Sequence, residues 1–233
     1  MKKILLYMFV LCAGVTALTS CKGDDQLTDS RLTYYPVLSL NGDEVTLVPV
    51  GTTYTEEGCQ ATIKGEDCSS KVVTTGSVDT NQLGLYYITY SLTNDDGFTS
   101  SASRTVIVCD PTITTDISGS YSVQEGSYRL NSKGVQTAYS GYSVNITKVA
   151  PGVFYLSDYL GGYYDQRAGY GSNYACVGYI SLSSDNTLES LSSSVAGWGD
   201  SLDSFTNGSY DPATGVVQFT AGYAGMQFVV TLK

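Results

Sequence analysis

The chain has 233 residues, with 22 acidic against 12 basic side chains and no histidine. Ten excess negative charges argue against nucleic acid, which is held by clustered Lys and Arg, and keep the chain off anionic head groups. The missing histidine excludes Ser-His-Asp and Cys-His catalysis and His-based zinc sites in their usual forms, so neither an enzymatic activity nor a cofactor is expected.

The chain opens with Lys2 and Lys3, an apolar run from Ile4 to Leu11, and then the small residues Ala13, Gly14 and Ala17. A basic start, an apolar core too short to cross a bilayer and a small-residue exit read as a secretory signal peptide over residues 1–20. Leu18-Thr19-Ser20-Cys21 resembles the bacterial lipobox, which implies that Cys21 is acylated and becomes the first mature residue. Several acyl chains, each contributing about 0.8 kcal/mol per buried methylene, make a durable anchor, so the membrane should be met through lipid alone. Residues 21–33 have little to bury and read as a flexible tether. Lys22-Gly23-Asp24-Asp25 resembles the acidic export signal of Bacteroidetes surface lipoproteins, which implies an outer-membrane location facing the exterior.

Gly, Ser, Thr and Tyr dominate the remainder, and helical periodicity is scarce, so the fold is expected to be all-β. Between 34 and 108 short β-rich runs at 37–40, 45–49, 60–63, 71–74, 84–92 and 101–108 alternate with turn sequences. In Tyr86-Tyr87-Ile88-Thr89-Tyr90 the odd and even positions define two faces, as in a half-buried sandwich strand. Six strands in this length describe a small immunoglobulin-like sandwich. Pro36-Val37-Leu38-Ser39-Leu40-Asn41-Gly42-Asp43, Val50-Gly51-Thr52-Thr53-Tyr54-Thr55-Glu56-Glu57-Gly58 and Arg104-Thr105-Val106-Ile107-Val108 resemble the bacterial surface immunoglobulin-like module. The resemblance implies a spacer or adhesion unit without chemistry. Cys59 and Cys68 depart from its pattern. With Cys109 and Cys176 they allow three full pairings in an oxidising compartment, of which Cys59–Cys68 is the most local disulfide candidate. Buried free thiols acting as small hydrophobes are the other reading.

Cys109-Asp110-Pro111 breaks the last run, and residues 109–117 read as a linker. Residues 118–233 again read as β, with candidate strands at 119–124, 141–149, 153–158, 174–182, 187–191, 204–210, 215–220 and 226–232. Met226, Phe228, Val230 and Leu232 share one face of the last. Turn sequences between neighbours favour consecutive antiparallel pairing, as an up-and-down β-barrel or a compact sandwich. The two-domain layout resembles Bacteroidetes lipoproteins whose C-terminal domain has no assigned function.

The most unusual composition lies between Tyr155 and Tyr179, where tyrosines alternate with Gly161, Gly162, Gly169 and Gly171, and 160–173 reads as a long loop. Tyrosine offers a flat apolar ring and a hydroxyl at low entropic cost, which suits a binding surface and the C–H faces of sugars. Tyr159, Tyr163, Tyr164 and Tyr170, with Asp165 and Arg167 for hydroxyl groups and Trp198 from a second Gly-flanked loop, form the candidate ligand site. The alternative is that these rings fill the core. Asp158, Asp165, Asp200 and Asp203 show no spacing that sets up a glycosidase pair and read as solvated turn residues. The expected function is therefore a non-catalytic surface lipoprotein that binds an extended neutral polysaccharide or oligosaccharide. The competing expectation is an adhesion or structural lipoprotein that contacts surface protein partners.

Overall fold

A computed structural model describes residues 32–233; the signal peptide, Cys21 and nearly all of the tether lie outside the described residues. Residues Tyr35–Lys233 form one compact unit. Its first part holds β1 (Val37–Leu40), β2 (Val45–Pro49), β3 (Cys59–Ile63), β4 (Glu66–Asp67), β5 (Val73–Thr75), β6 (Gly84–Thr93) and β7 (Thr99–Cys109). These make a three-stranded sheet in the order β1-β3-β4 and a four-stranded sheet in the order β2-β7-β6-β5, an immunoglobulin-like sandwich. In β6, Ile88, Tyr90 and Leu92 are buried while Tyr87 and Thr93 are exposed, the alternation that the sequence pattern requires.

The apolar core of this sandwich is thin, with Val48, Val106 and Val108 packed against Val50, Tyr54, Val78 and Tyr86. Arg104 on β7 is completely buried and compensates. Its Nη1 donates to the carbonyl of Asp43 at 2.7 Å, its Nη2 reaches the carbonyls of Asn41 and Gly58, and its Nε pairs with Glu56 at 2.9 Å. The Tyr54 hydroxyl donates to the other oxygen of Glu56. One guanidinium thus ties β7 to the loops on either side of the second sheet, and a buried charge of this kind is tolerated only when paired and hydrogen-bonded.

Cys59 and Cys68 are free thiols, as are Cys109 and Cys176. The expected staple fails on register. The Cys68 N–H donates to the carbonyl of Ala61, so Cys68 faces Ala61 and Cys59 lies two residues along the strand. Such diagonal neighbours stand roughly 7–8 Å apart, beyond the span of a disulfide.

The second part holds β8 (Gly119–Ser122), β9 (Tyr128–Leu130), β10 (Gln136–Ala138), β11 (Ser143–Ala150), β12 (Val153–Leu156), β13 (Val177–Leu182), β14 (Leu188–Ser194), β15 (Ser204–Asp211), β16 (Val216–Tyr223) and β17 (Met226–Leu232). Two antiparallel five-stranded sheets, β14-β13-β12-β11-β8 and β10-β9-β17-β16-β15, face each other. The barrel alternative is thereby corrected to a sandwich. The sheets touch at two corners, through the bridges Thr187–Ser209 and Val123–Leu232, but neither corner carries a continuous ladder. A core of 23 buried residues fills the space between them, including Phe154, Tyr159, Phe219 and Phe228, so this part has the larger apolar interior.

Ile107 and Cys109 of β7 pack with Ala150 and Val153 in a buried seam flanked by Leu85, Val149 and Leu191. Just beyond it, Ile113 and Ile117 enter the core of the second sandwich, so 109–117 is packed in place along part of its length. β12 starts in this seam at Val153 and runs away from it to Leu156. β13 returns antiparallel, with Leu156 opposite Gly178 and Val153 opposite Ser181. The loop between them, 157–176, therefore stands at the end of the sandwich farthest from the immunoglobulin-like part.

Candidate functional site

The loop is organised by one carboxylate. Asp158 is buried, and its Oδ1 accepts the N–H groups of Leu160 at 2.8 Å and Cys176 at 3.0 Å, while Oδ2 accepts that of Gly162 at 2.7 Å. It thus nails the start of the loop to its return, and is no solvated turn residue. Burial drives its pKa up to about 7, against the opposing pull of these three donors. Gly161 and Gly162 then take left-handed backbone conformations, and a Cβ on Gly162 would lie 2.6 Å from that of Tyr142.

A π-helical turn follows at Tyr163–Arg167. Its Gln166 side chain mimics a strand neighbour, accepting the Ser143 N–H at 3.0 Å and donating to the Ser143 carbonyl at 2.8 Å. The turn points Tyr163 inward, against Tyr139 and Phe228, with the guanidinium carbons of Arg129 and Arg167 at 4.7 and 4.9 Å from its ring centre. Tyr164 points the other way and is half-buried.

Around Tyr164 the aromatic side chains converge. Tyr170 lies nearly parallel to it, with centroids 6.1 Å apart and planes 17° apart, and Trp198 meets it edge-on at 5.0 Å. Trp198 also packs on Tyr174 at 4.8 Å and over Tyr223 at 5.9 Å. The two Gly-flanked loops are joined by the Gly197 N–H, which donates to the Asn173 carbonyl at 2.6 Å. Gly197 has to be glycine, since a Cβ there would fall 2.6 Å from the Tyr174 ring. Tyr223 donates its hydroxyl to Asp200 at 2.8 Å, and burial, reinforced by that carboxylate, pushes the Tyr223 pKa up. The β16–β17 hairpin presents Tyr223 and Met226 through a two-residue turn, Ala224-Gly225, with positive φ at both positions, as a type I′ turn needs. Asp203 pins that turn by accepting the Gly225 N–H at 3.0 Å.

Among the large apolar side chains of the described residues 118–233, only Val135, Tyr170 and Trp198 are left exposed, the last two at 56% and 43%. Both belong to this corner. Tyr164, Tyr170 and Trp198 are thus brought together as the sequence expects, with Asp165 in the same turn. Tyr163 lies beneath them, and Arg167 is laid over its ring. Tyr159 does not join. It is fully buried, its ring meets Phe205 and Phe219, and its hydroxyl serves the Tyr179 carbonyl, the Ser190 hydroxyl and the Ser192 carbonyl. Its assignment to the ligand surface is corrected to the core, because no face of it is open. Tyr174, Tyr223, Asp200 and Arg129 were not among the candidates, and no local pattern marks them, since they come from four separate segments. A cleft of about 640 Å³ opens elsewhere, where the edge strands β14 and β15 part; it is lined by Glu189, Asp203, Asn207 and several hydroxyl side chains and includes none of these tyrosines.

Residues 38–108 match the family described as bacterial surface protein, Ig-like domain, and residues 110–233 match a family of C-terminal domains. The crystal structure of lipoprotein BT2262 from Bacteroides thetaiotaomicron is 45% identical in sequence, over 85% of this chain and 100% of that one, with a TM-score of 0.49. This chain belongs to the family of that lipoprotein. Two Clostridium perfringens ZmpB structures also align. One contains the M60 catalytic domain with CBM51-1 and CBM51-2, at 18% identity over 54% of this chain and 14% of that one, with a TM-score of 0.29. The other contains CBM51-2 in complex with GlcNAc and INT domains, at 20% identity over 52% of this chain and 28% of that one, with a TM-score of 0.28. Both are too distant to bear on the site. No curated protein matches. Membership in a lipoprotein family with a surface immunoglobulin-like domain assigns the chain to the bacterial cell surface.

Proposed function

We propose that this protein is a non-catalytic lipoprotein, held to the outer membrane through acylated Cys21, that binds extracellular carbohydrate at the corner formed by Tyr170 and Trp198. The observation that carries this reading is the exposure of these two rings, 6.2 Å apart, at the end of the sandwich farthest from the immunoglobulin-like part. An exposed aromatic pair leaves apolar surface in water, and here Tyr164, Tyr174 and Tyr223 hold it in place before any ligand arrives, which lowers the entropic cost of binding. Asp165, Asp200 and Asn173 border the rings and supply hydrogen-bonding groups for hydroxyls.

A glycan array probed with the full chain tests it. Tyr170→Ala and Trp198→Ala are expected to lower binding about tenfold or more, while changing stability by about 0.5 kcal/mol or less, as exposed positions do. An array without a single bound glycan would reject the reading.

Adhesion to protein partners has its own supporting observation. The edge strand β2 leaves Val45 and Leu47 exposed on one face, beside exposed Tyr87 on β6. An unprotected apolar edge invites a partner strand. If Leu47→Lys abolishes cell-surface attachment and Trp198→Ala leaves it intact, adhesion is the better account.

A further inference from the structure

We infer that the corner takes the end of a glycan chain, a single terminal sugar, and not the length of an extended polymer. The inference rests on the carbohydrate reading and concerns which part of the ligand is recognised. A surface that follows a polysaccharide needs rings side by side in one plane, because successive sugars offer their C–H faces along one direction. Here the two exposed rings stand almost perpendicular, at 85°. Each is backed by a ring of its own: Tyr170 by Tyr164 at 17°, and Trp198 by Tyr223 at 30°. Two backed rings therefore present two open faces that meet at a right angle.

A pyranose fits such an angle by laying its C–H face on one ring and its edge against the other. The next sugar of a chain lying along either ring would run into the second wall, so the chain has to leave outward. The angle is also fixed. Tyr174 fills the space behind Trp198 at 4.8 Å, Gly197 permits that contact and no larger residue does, and the Gly197–Asn173 hydrogen bond locks the two loops together. Rotating either ring to make a flat platform would break these contacts.

The polar groups agree. A terminal sugar differs from an internal one by a hydroxyl that is not tied up in a linkage. Asp200 is exposed and accepts the Tyr223 hydroxyl on Oδ1, which leaves Oδ2 without a protein donor among the described residues. A carboxylate oxygen held beside the ring pair by a buried tyrosine is placed to accept such a hydroxyl, as a strong charge-assisted acceptor.

The test is the dependence of affinity on chain length. The full chain is titrated with β-1,4-linked N-acetylglucosamine, galactose and mannose ladders of two to six units, and with the same sugars methylated at the terminal 4-hydroxyl. At least one ladder is expected to bind, with affinity changing less than about threefold from the shortest to the longest member and falling about tenfold or more on methylation. Asp200→Asn is expected to remove most of the methylation effect; Tyr223→Phe, which keeps the ring, checks that the corner stays folded and should lose less. Affinity that climbs about tenfold with length would overturn the inference and leave the carbohydrate reading standing. No binding to any ladder or to the glycan array would defeat both.

Discussion

The two sandwiches of this protein solve the same packing problem in opposite ways. The C-terminal one separates its sheets with 23 buried residues, many of them aromatic. The immunoglobulin-like one has a three-valine centre and relies on Arg104, Glu56 and Tyr54 to close the gap. A large apolar interior is non-directional, tolerates exchange among similar side chains and needs no partner geometry. A buried ion pair is directional: it specifies which loops meet which strand, and it is costly to break from one side only. The smaller sandwich thus depends on a few irreplaceable polar contacts, and the larger on many interchangeable apolar ones.

The largest expected effect follows directly. Arg104→Met should destabilise the immunoglobulin-like part by about 3–5 kcal/mol, because Glu56 loses its buried cation, and Arg104→Met with Glu56→Leu should recover much of that loss. Trp198 is the sole tryptophan and sits in the other sandwich, so its fluorescence during urea unfolding isolates the C-terminal transition. Far-ultraviolet circular dichroism should register the Arg104→Met loss more strongly than Trp198 does. Equal shifts in both signals would show that the seam at Ile107, Cys109, Ala150 and Val153 fuses the two into one cooperative unit.

Tyr159→Phe should have a smaller effect, about 1–2 kcal/mol, since it removes a hydroxyl bonded to three partners and keeps the ring. Here the Trp198 signal should move and the immunoglobulin-like transition should not. The outcome to look for is a loss confined to the C-terminal midpoint. A negligible loss would mean that the Ser190 and Ser192 partners re-pair without it.

The two regions should also respond to pH in opposite directions. Burial raises the Glu56 pKa, but the Tyr54 and Tyr90 hydroxyls, the Gly58 N–H and the Arg104 charge outweigh it and hold the carboxyl below 4.5. A depressed carboxyl stabilises above its unfolded pKa and ceases to do so as pH falls through the folded value, so the immunoglobulin-like part should weaken below about pH 4.5. Asp158 has the reverse sign. Its raised pKa means that the folded state holds the proton that the unfolded state has released, so the C-terminal part should lose stability as pH rises from about 4 to about 7. Denaturation followed by both probes between pH 3 and 8 measures the two slopes; parallel slopes would refute the contrast.

Much of this architecture was legible in the residues. β17 buries Phe228, Val230 and Leu232 and β6 buries Ile88 and Tyr90, because strict alternation leaves one face for the core. The β9–β10 hairpin was not legible. Tyr128-Arg129-Leu130 and Gln136-Thr137-Ala138 are three residues each, lack alternation and become strands only by pairing with β17. That hairpin brings Arg129 to Tyr163, so missing it hid part of the site. The tyrosines show a different limit. Tyr159 and Tyr170 are chemically identical and stand in similar Gly-rich surroundings, yet one is sealed in and the other open. What separates them is Asp158, whose three backbone bonds draw the first turn of the loop inward, and a buried carboxylate looks in sequence like any turn aspartate.

The pairing of β2 with β7 has a mechanical consequence. These strands run parallel over five residue pairs, from Val45–Thr105 to Pro49–Cys109. Tension between a surface-held amino terminus and a ligand gripped at the far corner would draw β2 backward from Val45 and β7 forward from Cys109. Parallel strands pulled in opposite senses slide past each other, so the ladder is loaded in shear and its hydrogen bonds share the force at once, where strands peeled from one end would give way one bond at a time. Beyond β7 the load passes through the packed seam into the second sandwich without crossing a slack connector. A cell attached through this molecule would be held by a stiff tie-rod, and the drag of flowing fluid would be borne by the bond to the ligand before it was borne by the fold.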